Sequence, residues 1–234
     1  MRTESEKTKL TELRWYDAVI ISLILFGRAI WSSTMILLST SQEILNQGTE
    51  FTSADNWYGI ISIIIELFLS WVYLRLRNFD FSQWKYKPGL KGSVLAIGIY
   101  IVMCLGMDIV NIIFLGWSEA TKYVGSLGII YIFKQIDLSL LLFSFMNGIY
   151  EEIFFLGVCT SVIKKQRLPV IIYSLIVRFS FHTYQGIGAA LGIGFVIGGL
   201  YLFFFYRSKD RNLYSCMLSH TFADIFGAGL LYLL

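Results

Sequence analysis

Two adjacent carboxylates, Glu151 and Glu152, stand in "FMNGIYEEIFFLGV" (145–158), a stretch that is otherwise almost entirely apolar. The apolar run continues on both sides, from Leu138 to Ile163. The chain has only two histidines, and both also lie in apolar runs: His182 in "VRFSFHTYQG" and His220 in "MLSHTFADIF". Asp224 follows His220 by four residues, which puts both on one helix face. A carboxylate can take a proton from water, and an imidazole can orient that water or protonate a leaving amine. A second imidazole and an aspartate can hold a developing oxyanion or ligate a metal. No protein nucleophile is evident: Cys104, Cys159 and Cys216 are not adjacent to either histidine, and G-x-S-x-G does not occur. The set therefore points to water as nucleophile and a peptide or ester bond as target.

The surrounding segments must hold these groups inside a membrane. The 234 residues are 56% hydrophobic and 15% charged, where soluble domains carry about 25% charged residues. Mean hydropathy is +0.65. Such a chain has too little polar surface to cover itself in water, and the expected fold is an all-α, polytopic transmembrane bundle in one domain. Nothing in the composition calls for nucleic acid; the lipid bilayer is the expected surrounding. A membrane helix needs about 20 apolar residues. Seven segments qualify: 17–38, 58–75, 93–115, 138–163, 168–186, 187–206 and 213–234. Residues 1–16 form a polar lead-in without the pattern of a cleaved signal. The stretch 123–133 is too short to cross and suits an interfacial or re-entrant piece. Pro169 is expected near the start of its helix, where proline is tolerated. The cysteines show no metal-type or disulfide spacing and are expected to be small buried hydrophobes.

Lys and Arg set the orientation. With the N-terminus inside, the inner segments hold 15 of them and the outer loops only Lys122 and Lys134. Arg28 and Arg178 lie within spans. The N-terminus is expected in the cytoplasm and the protein in the plasma membrane. A span that keeps an acid inside the bilayer costs roughly 2.5–3.5 kcal/mol on insertion scales. The default reading of an intramembrane acid is functional, with a structural ion pair as the alternative, as for Glu66 with Arg28; a lone buried histidine is more often a packing residue. An adjacent glutamate pair is harder to explain that way. At about 1.5 Å per residue Glu151 is about 18 Å from the inner end of its span, His182 about 21 Å and His220 about 10 Å, so these groups can converge.

In order, these motifs resemble the CPBP family, the CAAX prenyl endopeptidase and bacteriocin-processing (Abi-type) intramembrane proteases. "EEIFFL" (151–156) is similar to Glu-Glu-x-x-x-Arg, "RFSFH" (178–182) to Phe-x-x-x-His, and "HTFAD" (220–224) to His-x-x-x-Asn/Asp. The resemblance covers about 140–230, with the family-like catalytic core at about 138–234. Leu156 stands where the family has arginine, and Arg178 where it has phenylalanine. The resemblance implies that Glu151 activates water with His182 positioning it, that Glu152 supports them, and that His220 and Asp224 stabilise the oxyanion. Glu151, His182 and His220 are also a zinc-type set, but a metal-free glutamate mechanism explains the same residues and is slightly favoured. The substrate would be a peptide precursor or membrane protein. Arg178, one turn before His182, is expected to replace the missing arginine by pairing with Glu151 or Glu152, whereas Glu152 is expected to be the more tolerant glutamate. Two other classes compete: an inactive relative acting as membrane scaffold or immunity protein, and a proton-coupled transporter using Glu66, Asp108 and Asn111.

Overall fold

The computed structural model describes residues 9–45, 51–121 and 133–231. Within them the fold is all helical, with three isolated bridges and no strand. Five helices are long and apolar enough to cross a membrane: α1 (Trp15–Ser39), α2 (Ser53–Leu76), α3 (Leu90–Leu115), α4 (Leu138–Val158) and α6 (Ile187–Arg207). Two further segments of the expected seven are helical but differ in kind. α5 (Lys164–Phe181) has 18 residues and carries Lys164, Lys165, Arg167 and Arg178. α7 (Tyr214–Phe226) has 13 residues, about 20 Å, short of the roughly 30 Å hydrocarbon thickness. It stops at Gly227, whose φ of +82° needs a residue without a Cβ. The expected stretch 123–133 lies almost wholly outside the described residues.

Large apolar side chains such as Leu23, Trp31, Leu105 and Ile113 are exposed along the outward faces. That is the pattern of helices facing lipid. Lipid supplies no hydrophobic force between helices, so close packing and hydrogen bonds must join them. One join is aromatic. Phe26 of α1 stacks on Phe181 of α5 at 4.7 Å and meets Tyr150 and Phe154 of α4 edge-on at 5.2 and 5.1 Å. Such pairs contribute about 0.5–1.5 kcal/mol each beyond area burial. Another is polar. Arg28 pairs with Glu66 at 3.5 Å, and the Tyr150 hydroxyl sits between the Leu25 carbonyl and Glu66, 2.7 Å from Glu66 Oε2.

The Lys/Arg-rich segments gather on one face. Bridges link Leu10 to Phe79, Leu13 to Val162 and Lys85 to Asn212. Asp17, fully buried, accepts from Arg77 Nε at 2.8 Å and Tyr73 at 2.6 Å. Residues 9–14 are thus woven into the fold, with Leu13 fully buried. Asp137 and Thr52 cap α4 and α2 at the opposite face, and Ser53 donates to Asp137. Two boundaries differ from expectation. α4 ends at Val158 in a wide π-type turn over Ile153–Val158, because residues 159–163 turn to meet Leu13. α5 starts at Lys164, so Pro169 falls inside it rather than in its first turn.

Candidate active site

α4 and α7 run against each other with Gly148 at the contact. A Cβ there would lie 2.6 Å from the Met217 carbonyl and 2.9 Å from Thr221 Oγ1. Only a residue without a side chain lets the helices approach so closely. The approach brings Glu151 and Glu152, at the end of the α-helical part of α4, onto His220 of α7. Glu151 is about 10 Å by helical rise from Val158, not the 18 Å expected from a span reaching Ile163. His220 is about 9 Å from Tyr214, so the two lie at similar depth from the basic face.

Glu152 is fully buried, and its Oε1 accepts from Arg178 Nη2 at 2.7 Å and His220 Nδ1 at 2.8 Å. His220 Nε2 lies 3.8 Å from Glu151 Oε1 and 3.6 Å from Asp224 Oδ1. Arg178, 1% exposed, lies over Phe155 at 4.0 Å and Tyr201 at 5.3 Å. Tyr201 also stacks on His220, with 5.8 Å between centroids. The imidazole is therefore clamped between an aromatic ring and a carboxylate that a guanidinium holds in turn. Glu152 does not point elsewhere, as its neighbouring helix position suggested; it is the most heavily bonded member of the group.

The second oxygens of both glutamates, Glu151 Oε2 and Glu152 Oε2, are buried without a partner among the described residues. An acceptor in that state wants a donor, and a water supplies one. His182 is placed differently. Its Nδ1 lies 2.7 Å from the Arg178 carbonyl. A carbonyl only accepts, so the proton is on Nδ1, and Nε2 of the neutral ring keeps its lone pair. His182 has no direct bond to the carboxylates among the described contacts. Asn147 was not singled out from sequence. Its Nδ2 donates to Glu151 Oε1 at 3.2 Å and Asp224 Oδ2 at 2.9 Å, joining two acids. The signal was present: a polar residue one turn before Glu151 in the same apolar stretch. Glu66 and Asp108 lie outside the group. Glu66 pairs with Arg28, and Asp108 accepts from the backbone N–H of Leu230 at 3.0 Å.

Glu151, Glu152 and His220 each offer a ligand atom, all within 4.8 Å of one another. Two oxygens and a nitrogen suit zinc. The composition of this set differs from expectation, since Glu152 stands in it and His182 does not. Glu152 Oε1 already serves Arg178 and His220, but the two unpartnered Oε2 atoms give an ion somewhere to bind. The residues fit such a group.

Fold and site thus define a helical membrane protein with a buried cluster of carboxylates around one imidazole, fit for acid–base hydrolysis. Residues 134–226 match the family described as Type II CAAX prenyl endopeptidase Rce1-like, and the chain is CAAX protease-like across that segment. The segment is less than half of the chain and contains all three motifs. No curated protein and no solved structure gives a match.

Proposed function

We infer that the chain is an intramembrane endopeptidase that cleaves a peptide bond of a membrane-associated protein or peptide precursor with water activated by Glu151. The observation that carries this reading is the pair of buried, unpartnered Oε2 atoms on Glu151 and Glu152 beside His220. A water donating to Glu151 Oε2 gives up its proton there as its oxygen attacks the scissile carbonyl carbon. His182 Nε2 positions that water, since its ring orientation is set by the bond to the Arg178 carbonyl. The tetrahedral oxyanion is met by His220 Nε2–H, with Asp224 beside it. Glu152 and Arg178 fix the imidazole through Nδ1, as a carboxylate orients histidine in other hydrolases. When the C–N bond breaks, Glu151 passes its proton to the leaving nitrogen. Were zinc bound by Glu151, Glu152 and His220, it would polarise the carbonyl and acidify the water, and the second-layer roles of Arg178 and Asn147 would be the same.

The gathered basic segments support a cytoplasmic basic face, with the N-terminus inside. Comparative peptidomics of membranes from wild-type and Glu151→Ala cells tests the function. Peptides or precursor termini that vanish in the variant, at unchanged protein level, identify the substrate. Indistinguishable peptidomes with a preserved phenotype would instead leave a non-catalytic membrane scaffold.

A further inference from the structure

On the basic face, away from the carboxylate cluster, lies a cavity of about 150 Å³ between residues 11–12, the 83–84 turn, the end of α4, the start of α5 and the loop before α7. None of Glu151, Glu152 or His220 lines it. Leu156, Phe205 and Leu213, all buried, form its apolar part. Its charged lining residues are Arg167, Arg211 and Glu12, an excess of one positive charge. Neither guanidinium has a carboxylate partner among the described residues. Arg167 Nη2 donates to the Val162 carbonyl at 3.2 Å, while its Nε–H is buried with no acceptor. Arg211 holds φ +48°, a left-handed conformation rare for a long side chain, and its guanidinium rests over Tyr206 at 5.1 Å. The nearby hydroxyls are not free donors: Thr160 Oγ1 donates to the Leu156 carbonyl and Ser161 Oγ to the Gly157 carbonyl. The charged donors left for a guest are the two guanidiniums, with the neutral Thr11 hydroxyl and Gln83 amide also in the lining.

A half-open, net-positive cavity with an unmet buried N–H calls for an anion with several oxygens. Arginine forks match phosphate with paired bonds. The cavity stands among the Lys/Arg-rich segments, and Trp84, a residue type enriched where headgroups meet hydrocarbon, forms part of its wall. Basic pockets between membrane helices collect anionic headgroups from the adjoining leaflet. We propose that this cavity binds the phosphate of an anionic phospholipid from the leaflet against the basic face. Glu12 limits its affinity, and neither the catalytic cluster nor peptide cleavage is needed for binding.

The test is thermal unfolding of the full-length protein in neutral detergent, titrated separately with dihexanoyl phosphatidylglycerol, dihexanoyl phosphatidylcholine and inorganic phosphate. Phosphatidylglycerol is expected to raise the melting temperature saturably and phosphatidylcholine to leave it unchanged. Arg167→Gln and Arg211→Gln should each weaken half-saturation by about tenfold or more, the scale of a lost charge-assisted hydrogen bond. Glu12→Gln should tighten it, and Lys165→Gln, outside the cavity, should leave it as it is. Should Arg167→Gln fail to fold, the exposed Arg211 still decides the question. Equal responses to the two lipids, or an unchanged midpoint in Arg211→Gln, would overturn the site. If inorganic phosphate reproduces the shift at equal concentration, the lipid source is wrong and free phosphate is the ligand.

Discussion

Arg178 Nη2 and His220 Nδ1 meet the same oxygen, Glu152 Oε1, at 2.7 and 2.8 Å. One buried carboxylate thereby joins α4, α5 and α7. Arg178 and Glu152 are almost fully removed from solvent, so deleting Glu152 strands the guanidinium and deleting Arg178 leaves the carboxylate with His220 alone.

Removing one side of a buried ion pair costs about 3–5 kcal/mol when the remaining charge is left uncompensated, and without Arg178 the buried Glu152 keeps only His220. Arg178→Leu should therefore lower abundance and abolish cleavage. Leu156, where the family has arginine, is fully buried in the cluster that contains Tyr201. Arg178→Phe combined with Leu156→Arg should restore part of both. Immunoblotting and a cleavage assay read the two effects; wild-type behaviour of Arg178→Leu would refute the relocated arginine.

Gly148 gives a backbone test of the same junction. Gly148→Ala places a methyl 2.6 Å from a carbonyl that cannot move without shifting α7. His220 should then withdraw from the glutamates, with an overpacking cost of about 1–3 kcal/mol and loss of activity. Full activity in Gly148→Leu would show that the two helices need not touch.

Much of this site could be read from types and spacing. Glu151, Glu152, His220 and Asp224 are conspicuous because ionisable groups are expensive inside apolar spans. Arg178 stood out for the same reason. Glu152 was underrated, because helical spacing alone turns it about 100° from Glu151. Three helices converge on α4 here, so its inner surface is wide enough to bury both. Asn147 escaped notice although it is a polar residue one turn before Glu151 in the same apolar stretch, and Gly148 because a single glycine carries no signal until the partner helix is known. The end of α7 at Gly227 was not legible because its apolar run continues past that glycine, where the backbone turn ends the helix. The weaving of residues 9–14 into the basic face depends on long-range backbone pairing that no local pattern encodes.

Asp137 offers a pH test away from the site. The Ser53 hydroxyl, then the Leu140 backbone N–H and Ser139, hold its carboxyl down at about 2 against an ordinary 3.8. Its value is depressed in the folded state, so its contribution to stability is present above pH 3.8 and lost as pH falls through about 2. Wild type should be more heat-stable than Asp137→Asn at pH 6, and the difference should shrink toward pH 2. A difference independent of pH would show that the Ser53–Asp137 tether does not depend on the charge.

Thr52 and Ser82 lie at opposite ends of the bundle, and Cys104, Cys159 and Cys216 are all buried. Introduced Thr52→Cys and Ser82→Cys should be labelled by an impermeant thiol reagent from opposite sides, Thr52→Cys from outside. Labelling of both from one side would contradict the orientation.

The central claim is that Glu151 activates the water. The direct measurement is the cleavage rate of purified Glu151→Gln on a substrate found by peptidomics, with melting temperature as a control for folding. Glutamine keeps the shape and can still meet Asn147, but cannot take a proton. The expected result is a fall of about 10²–10⁴-fold in rate at near-wild-type stability. A rate within a few-fold of wild type would contradict it and move the chemistry to another group.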